Sequence, residues 1–219
     1  KASGKSFEFL SESESSKTVL VVCLRDQSSR TQAKKAKKLT KLFEKQKARV
    51  QTSVLTDEAE GDSIESLLSL GVLTNDATRA VSIADNMTIP IERAEEFREG
   101  VTMLEAKFRI PLMLYGQPLA NTWTVRPMLT LSSVGGKQAV FKLIDELTQL
   151  AHKCGGTIAG NYGEGRMQSF SIEQLWDDEV KKLYEQIKQV FDPNGILNPE
   201  VKRVKSIGAL VKQVKSQYV

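Results

Sequence analysis

The chain has 219 residues, 40% of them apolar, a formal net charge of +4, two cysteines and one histidine. That apolar content suits a packed core in one large domain or two small ones, and no window approaches the roughly 18 apolar residues of a membrane span. A single histidine, His152, argues against histidine-rich metal sites and histidine-based triads built from this chain alone.

In chain order, residues 1–16 are rich in Ser, Glu and Lys and read as a flexible lead-in. The first residue is Lys1 rather than Met, which reads as a processed chain or a piece of a longer one, and no signal peptide opens it. "KTVLVVCL" (17–24) is a short apolar run with β-branched residues, the pattern of a buried strand. Cys23 within it and Cys154 further on have no metal-ligand spacing. They read as reduced, buried thiols of a cytoplasmic protein. Ala33, Ala36, Leu39, Leu42 and Phe43 then recur at three- and four-residue steps, predicting an amphipathic helix over about 30–48. Its lysines fall on the other face with no aromatics between them, so a solvated face is favoured over a nucleic-acid site.

"ARVQTSVLT" (48–56) alternates like a second strand. "DSIESLLSLGVL" (62–73) reads as a short helix capped by Asp62 or Ser63. "ATRAVSIADNMTIP" (77–90) reads as strand, turn and strand, closed by Pro90. Ile91, Ala94, Phe97, Val101 and Leu104 predict a helix over 91–108. Strands follow over 110–116 and 122–131, separated by "GQPLAN". The helix over 137–156 ends at Gly155-Gly156, where glycine lets the chain turn left-handed. A helix over 171–191 begins with Ser171 and Gln174 as a capping box. Val204, Ile207, Leu210, Val214 and Tyr218 mark a terminal helix, placed over 206–219. This mixed order predicts an α+β fold: an antiparallel sheet covered by helices mainly on one face.

Three stretches could carry chemistry. "YGQPLANTWTVRP" (115–127) presents Gln117, Thr124 and Arg126 at loop or alternating positions, and Arg126 could take a carboxylate in bidentate fashion or simply form a surface ion pair. "GGTIAGNYGEGR" (155–166) has clustered glycines that allow a ligand close to backbone N–H groups, with Asn161, Tyr162, Glu164 and Arg166 facing it. Its glycines fit no phosphate loop and only weakly a dinucleotide fingerprint. "FDPNGILNPE" (191–200) is turn chemistry between two helices. Ile196 and Leu197 are expected to re-enter the core there. Pro199 is expected to hold Asn198 extended.

The segments "ADNMTIPIERAEEF", "GQPLANTWTVRPML" and "GGTIAGNYGEGR…FDPNGILNPEVKR" occur in one order. Together they resemble the cap domain of FAD-linked oxidases of the glycolate oxidase and D-lactate dehydrogenase type, within the vanillyl-alcohol oxidase superfamily. The likeness covers nearly all of residues 17–205. It implies a ferredoxin-like cap that covers the flavin and contacts a small, anionic, hydroxy-acid-like substrate. It also implies FAD held mainly by a separate FAD-binding domain, in the same full-length chain or another subunit. Arg126 and Tyr162 would then be catalytic; Gln117, Thr124, Asn161 and Arg166 would line the substrate; Gly163 and Asn198 would meet the cofactor. Members that oxidise 2-hydroxy acids place metal-binding His and Glu where this chain has Gln117, Thr124, Asn161 and Tyr162, so no metal site is expected. The alternative is a catalytically lapsed cap that serves as a structural or binding module.

Overall fold

The computed structural model describes residues 20–45, 79–160, 163–199, 201 and 206–214. The lead-in over 1–16, the strand over 48–56, the helix over 62–73 and the side chains of Asn161 and Tyr162 lie outside them. The chain divides into two compact units, residues 1–70 and 71–219.

In the first unit, α1 spans Ser29–Lys45, where the apolar stripe predicts it. The Ser28 carbonyl accepts from the N–H groups of Thr31 and Gln32, and Lys35 pairs with Asp26 at 2.7 Å. The expected strand over 17–24 is not seen in its described part. Residues 20–24 join no strand, Leu20, Val21 and Val22 are 62%, 51% and 44% exposed, and Cys23 is exposed rather than buried. Apolar composition permits a strand, but a strand also needs a partner's N–H and C=O groups, and the described residues bring none to this run.

The second unit contains β1 (Arg79–Ala80), β2 (Ala84–Thr88), α2 (Ala94–Phe108), β3 (Leu112–Gln117), β4 (Thr122–Leu129) and α3 (Val134–Lys153). Then come α4 (Gly165–Glu173), α5 (Asp178–Phe191) and α6 (Ile207–Gln213). All strand pairing is antiparallel and centres on β4. One edge of β4 pairs with β3 from Leu112↔Pro127 to Gln117↔Thr122. The other pairs with β2 at Ala84↔Val125 and Met87↔Trp123, with a bulge between them, and further on with β1. Pro127 has no N–H to give, and its carbonyl accepts from Val81 at 2.9 Å. It thus lies beside the break between β1 and β2, where a missing donor costs the ladder least. Beyond β2, Thr88 and Thr157 exchange both backbone hydrogen bonds at 2.9 Å. The spatial order Thr157, β2, β4, β3, with α2 and α3 as crossovers, is the ferredoxin-like βαββαβ arrangement with its last strand reduced to one bridge.

Two helices cover one face of this sheet. Phe97, Val101 and Leu104 of α2 recur at helical spacing and are buried. So are Val140, Leu143, Ile144, Leu147 and Ala151 of α3, against Met87, Ile89, Leu112 and Val125. Ser133 caps α3 by accepting from the Gly136 N–H at 3.0 Å. At its other end Gly155 adopts φ +72, and the Gly155 and Gly156 N–H groups bond to the carbonyls of His152 and Ala151. This is the Schellman closure that the glycine pair predicts. A Cβ on Gly156 would stand 2.0 Å from the Thr88 carbonyl oxygen, so glycine there lets the chain reach β2.

The single helix expected over 171–191 is two helices, α4 and α5. Ser171 is buried inside α4 and caps nothing. The N–H groups of Leu175 and Trp176 bond three residues back, tightening the last turn, and Asp177 turns extended to start α5. Asp178 and Glu179 fill the first turn of α5, where acidic groups suit the helix dipole. Trp176 stacks on Tyr184 across the break, centroids 4.6 Å apart.

Candidate functional site

Alternation along β4 sends Trp123, Val125, Pro127 and Leu129 toward the helices. Val125, Pro127 and Leu129 are buried, and the Trp123 ring lies 6.2 Å from Phe97. Thr122, Thr124, Arg126 and Met128 therefore share the opposite face. The β3 register adds Gln117 opposite Thr122, Tyr115 opposite Thr124 and Met113 opposite Arg126. Three residues singled out in the sequence, Gln117, Thr124 and Arg126, thus come together on the face that α2 and α3 leave uncovered.

Arg126 is the centre of this face. Its Nε and Nη2 donate to the two carboxylate oxygens of Asp85 at 2.9 and 3.0 Å, a bidentate pair in which both side chains are largely shielded. Ser82 donates its hydroxyl to the same carboxylate. The hydrogen bond to Asp85 raises the guanidinium's already high pKa, so Arg126 stays charged throughout. The Tyr115 ring lies 5.6 Å from its guanidinium carbon, a cation–π contact. Burial raises the Tyr115 pKa above its ordinary value, and the phenol shares a hydrogen bond with Thr124, which is itself 5% exposed. Tyr115 is accordingly a hydrogen-bond donor at neutral pH rather than a base. One guanidinium nitrogen, Nη1, is buried and has no hydrogen-bond partner. The fork that could have gripped a ligand carboxylate is thus committed to Asp85, with one nitrogen left over.

Asp85 and Tyr115 are members of this site that sequence reasoning missed. Tyr115 could have been found, because it stands two residues before Gln117 on the same strand. Asp85 could not, because only folding carries β2 beside β4.

The remaining expected residues lie elsewhere. Arg166, at the start of α4, donates from Nη2 to the Pro199 carbonyl at 3.0 Å. Asn198 is exposed with φ +44, so it is left-handed and not extended as the following proline suggested. Asn tolerates that region, and the Asn198 carbonyl accepts from the Val201 N–H in the turn that results. Ile196 and Leu197 do not re-enter the core; they are 72% and 58% exposed. Gly163 is exposed, and a Cβ there would meet no atom within 4 Å. Among the described residues, no three His, Cys, Asp or Glu side chains converge as metal ligands.

The family model of FAD-linked oxidases, C-terminal domain, matches residues 3–201. The chain belongs to this family. As an FAD-linked oxidase C-terminal domain it is similar to several curated proteins. D-lactate dehydrogenase of Archaeoglobus fulgidus is 29% identical over 119 residues, 54% of this chain and 26% of that protein. Glycolate oxidase subunit GlcD of Bacillus subtilis is 25% identical over 123 residues, 55% of this chain and 26% of the subunit. D-2-hydroxyglutarate dehydrogenase of Haemophilus influenzae is 26% identical over 133 residues, 60% of this chain and 13% of that enzyme. The matched stretch is therefore about a quarter, or about an eighth, of these relatives' own length. The α+β fold with its antiparallel sheet agrees with the family. Among the described residues, no helix is long and apolar enough to cross a membrane.

Proposed function

We propose that this chain is the substrate-facing cap of an FAD-dependent oxidoreductase acting on a small 2-hydroxy acid, with FAD held by a flavin-binding domain outside residues 1–219. The observation that carries the reading is the sheet face opposite α2 and α3, where Arg126 holds a fixed positive charge beside Tyr115, with Thr124 and Gln117 further along the same face. The hydroxy-acid enzymes among the relatives support the substrate class. When bound, FAD supplies the two-electron acceptor.

This chain's own residues would bind and orient. Asp85 locks the guanidinium plane, and Arg126 would help to hold the substrate carboxylate. The Tyr115 phenol and Gln117 amide hold the substrate's other oxygens. Tyr162, if ionised, would take the hydroxyl proton, and Asn161 and Arg166 would contact the substrate. Two free cysteines support a reducing, cytoplasmic compartment.

The test is anaerobic mixing of the complete, flavin-loaded protein with D-lactate, glycolate and D-2-hydroxyglutarate, following the flavin's visible absorbance. Bleaching by at least one acid is expected. Arg126→Lys keeps the charge but not the fork, and should raise the half-saturating concentration roughly tenfold while lowering the melting temperature through loss of the bidentate bond to Asp85. Flavin that stays oxidised with every acid would sink the reading. It would favour a lapsed cap, the second reading, which Gln117 and Thr124, poor metal ligands, also support.

A further inference from the structure

The sheet face that carries Arg126 is graded along its length. Toward the β3–β4 turn it presents Tyr115, Gln117, Thr122 and Thr124, each with a polar group. Beyond Arg126 it presents methionines. Met113 stands directly opposite Arg126 in the β3–β4 register, and such cross-strand partners share a face. Met128 lies two residues beyond Arg126 on β4, and its N–H donates to the Pro111 carbonyl at 2.9 Å, which fixes it beside the start of β3. Both methionines are half-buried. Alternation places them across the sheet from Val125 and Leu129, so neither fills the core beneath α2 and α3.

Charge on this face is just as uneven. Among the described residues that β3 and β4 present there, Arg126 is the one cation, and Asp85 holds its fork. A 2-hydroxy acid with its carboxylate at Arg126 and its hydroxyl toward Gln117 would run its side chain over Met113 and Met128. An alkyl chain gains there, because thioether side chains are apolar and adapt to irregular shapes. A second carboxylate at that end would lose its water and meet no cation in return.

We propose that Met113 and Met128 select the substrate's side chain, so that the acid oxidised is a 2-hydroxy acid with an apolar chain of several carbons, in preference to glycolate or a dicarboxylate. This deepens the proposed function and rests on it. The relatives are named for lactate, glycolate and 2-hydroxyglutarate, acids that differ at this side chain, so likeness to them does not choose among substrates. The methionine pair beside a single committed arginine does.

The experiment uses the complete, flavin-loaded polypeptide and measures the second-order rate constant of anaerobic flavin reduction by glycolate, D-lactate, D-2-hydroxybutyrate, D-2-hydroxycaproate and D-2-hydroxyglutarate. Each added methylene should raise it about two- to fourfold, and D-2-hydroxyglutarate should fall roughly tenfold or more below D-2-hydroxycaproate. The double variant Met113→Gln, Met128→Gln should lower the ratio of D-2-hydroxycaproate to glycolate roughly tenfold, whereas Met113→Leu, Met128→Leu, which keeps the apolar volume, should retain it. A binding readout accompanies the rates. With the flavin reduced beforehand, D-2-hydroxycaproate should shift the isotope-labelled methyl signals of Met113 and Met128, and not that of Met103, which is 67% exposed on α2. Rates that are flat across the series or highest with D-2-hydroxyglutarate would overturn the assignment and leave the oxidoreductase reading standing. So would a glutamine variant that slows both acids in proportion, or unmoved methyl signals. Flavin that no acid of the series reduces would overturn both.

Discussion

Asp192 does in the corner what a cap does at a helix end: one carboxylate satisfies two backbone N–H groups and a lysine. These donors, Lys188 first and then the Ile196 and Leu197 amides, hold its pKa below the ordinary aspartate value. Because the folded value is the lower one, the stabilisation is complete above the unfolded value of about 3.9 and is lost as pH falls through the folded one. Amide exchange at Ile196 and Leu197 should therefore accelerate in that acid window beyond its intrinsic rate, and Asp192→Asn should remove the acid-dependent step. At Arg126 the opposite arrangement holds, since its partner carboxylate comes from another strand. Asp85→Ala would strand a largely shielded guanidinium and should cost roughly 1–3 kcal/mol in urea unfolding. Asp192 was legible in the sequence as turn chemistry, whereas the commitment of Arg126 to Asp85 was not, because 41 residues of chain separate the two.

At the scale of elements, legibility followed the strength of local patterns. The helices α2 and α3 were readable because their apolar stripes are long and their ends carry chemistry that works locally. Ser133→Ala should remove the bond to the Gly136 N–H and cost about 1 kcal/mol, visible as a lowered melting temperature. The helix α5 was equally readable as a helix, but its partition from α4 was not. A run of polar and apolar residues with helical spacing continues across residues 174–177, and only the extended Asp177 breaks it. Apolar periodicity also misled at Ile196 and Leu197: it marks side chains that will be covered, without saying by what.

For the whole molecule, the second unit rests on one core between a sheet face and two helices. Leu147 is wholly buried near its centre, and Leu147→Ala should cost about 2–5 kcal/mol with an unchanged urea m-value. A result near zero would mean that α3 does not seat on β2 and β4 as described. The sequence by itself determined the α+β class, the main helices and strands of this unit, the Gly155-Gly156 closure and the family likeness. Each depends on neighbours within a few residues, or on motif order, and both are written along the chain. Only the tertiary structure decided that β4 lies between β2 and β3, that Asp85 takes the fork of Arg126, and that α5 turns its apolar side outward. These depend on which surfaces meet after the chain has crossed back on itself, and residue order does not encode that distance directly.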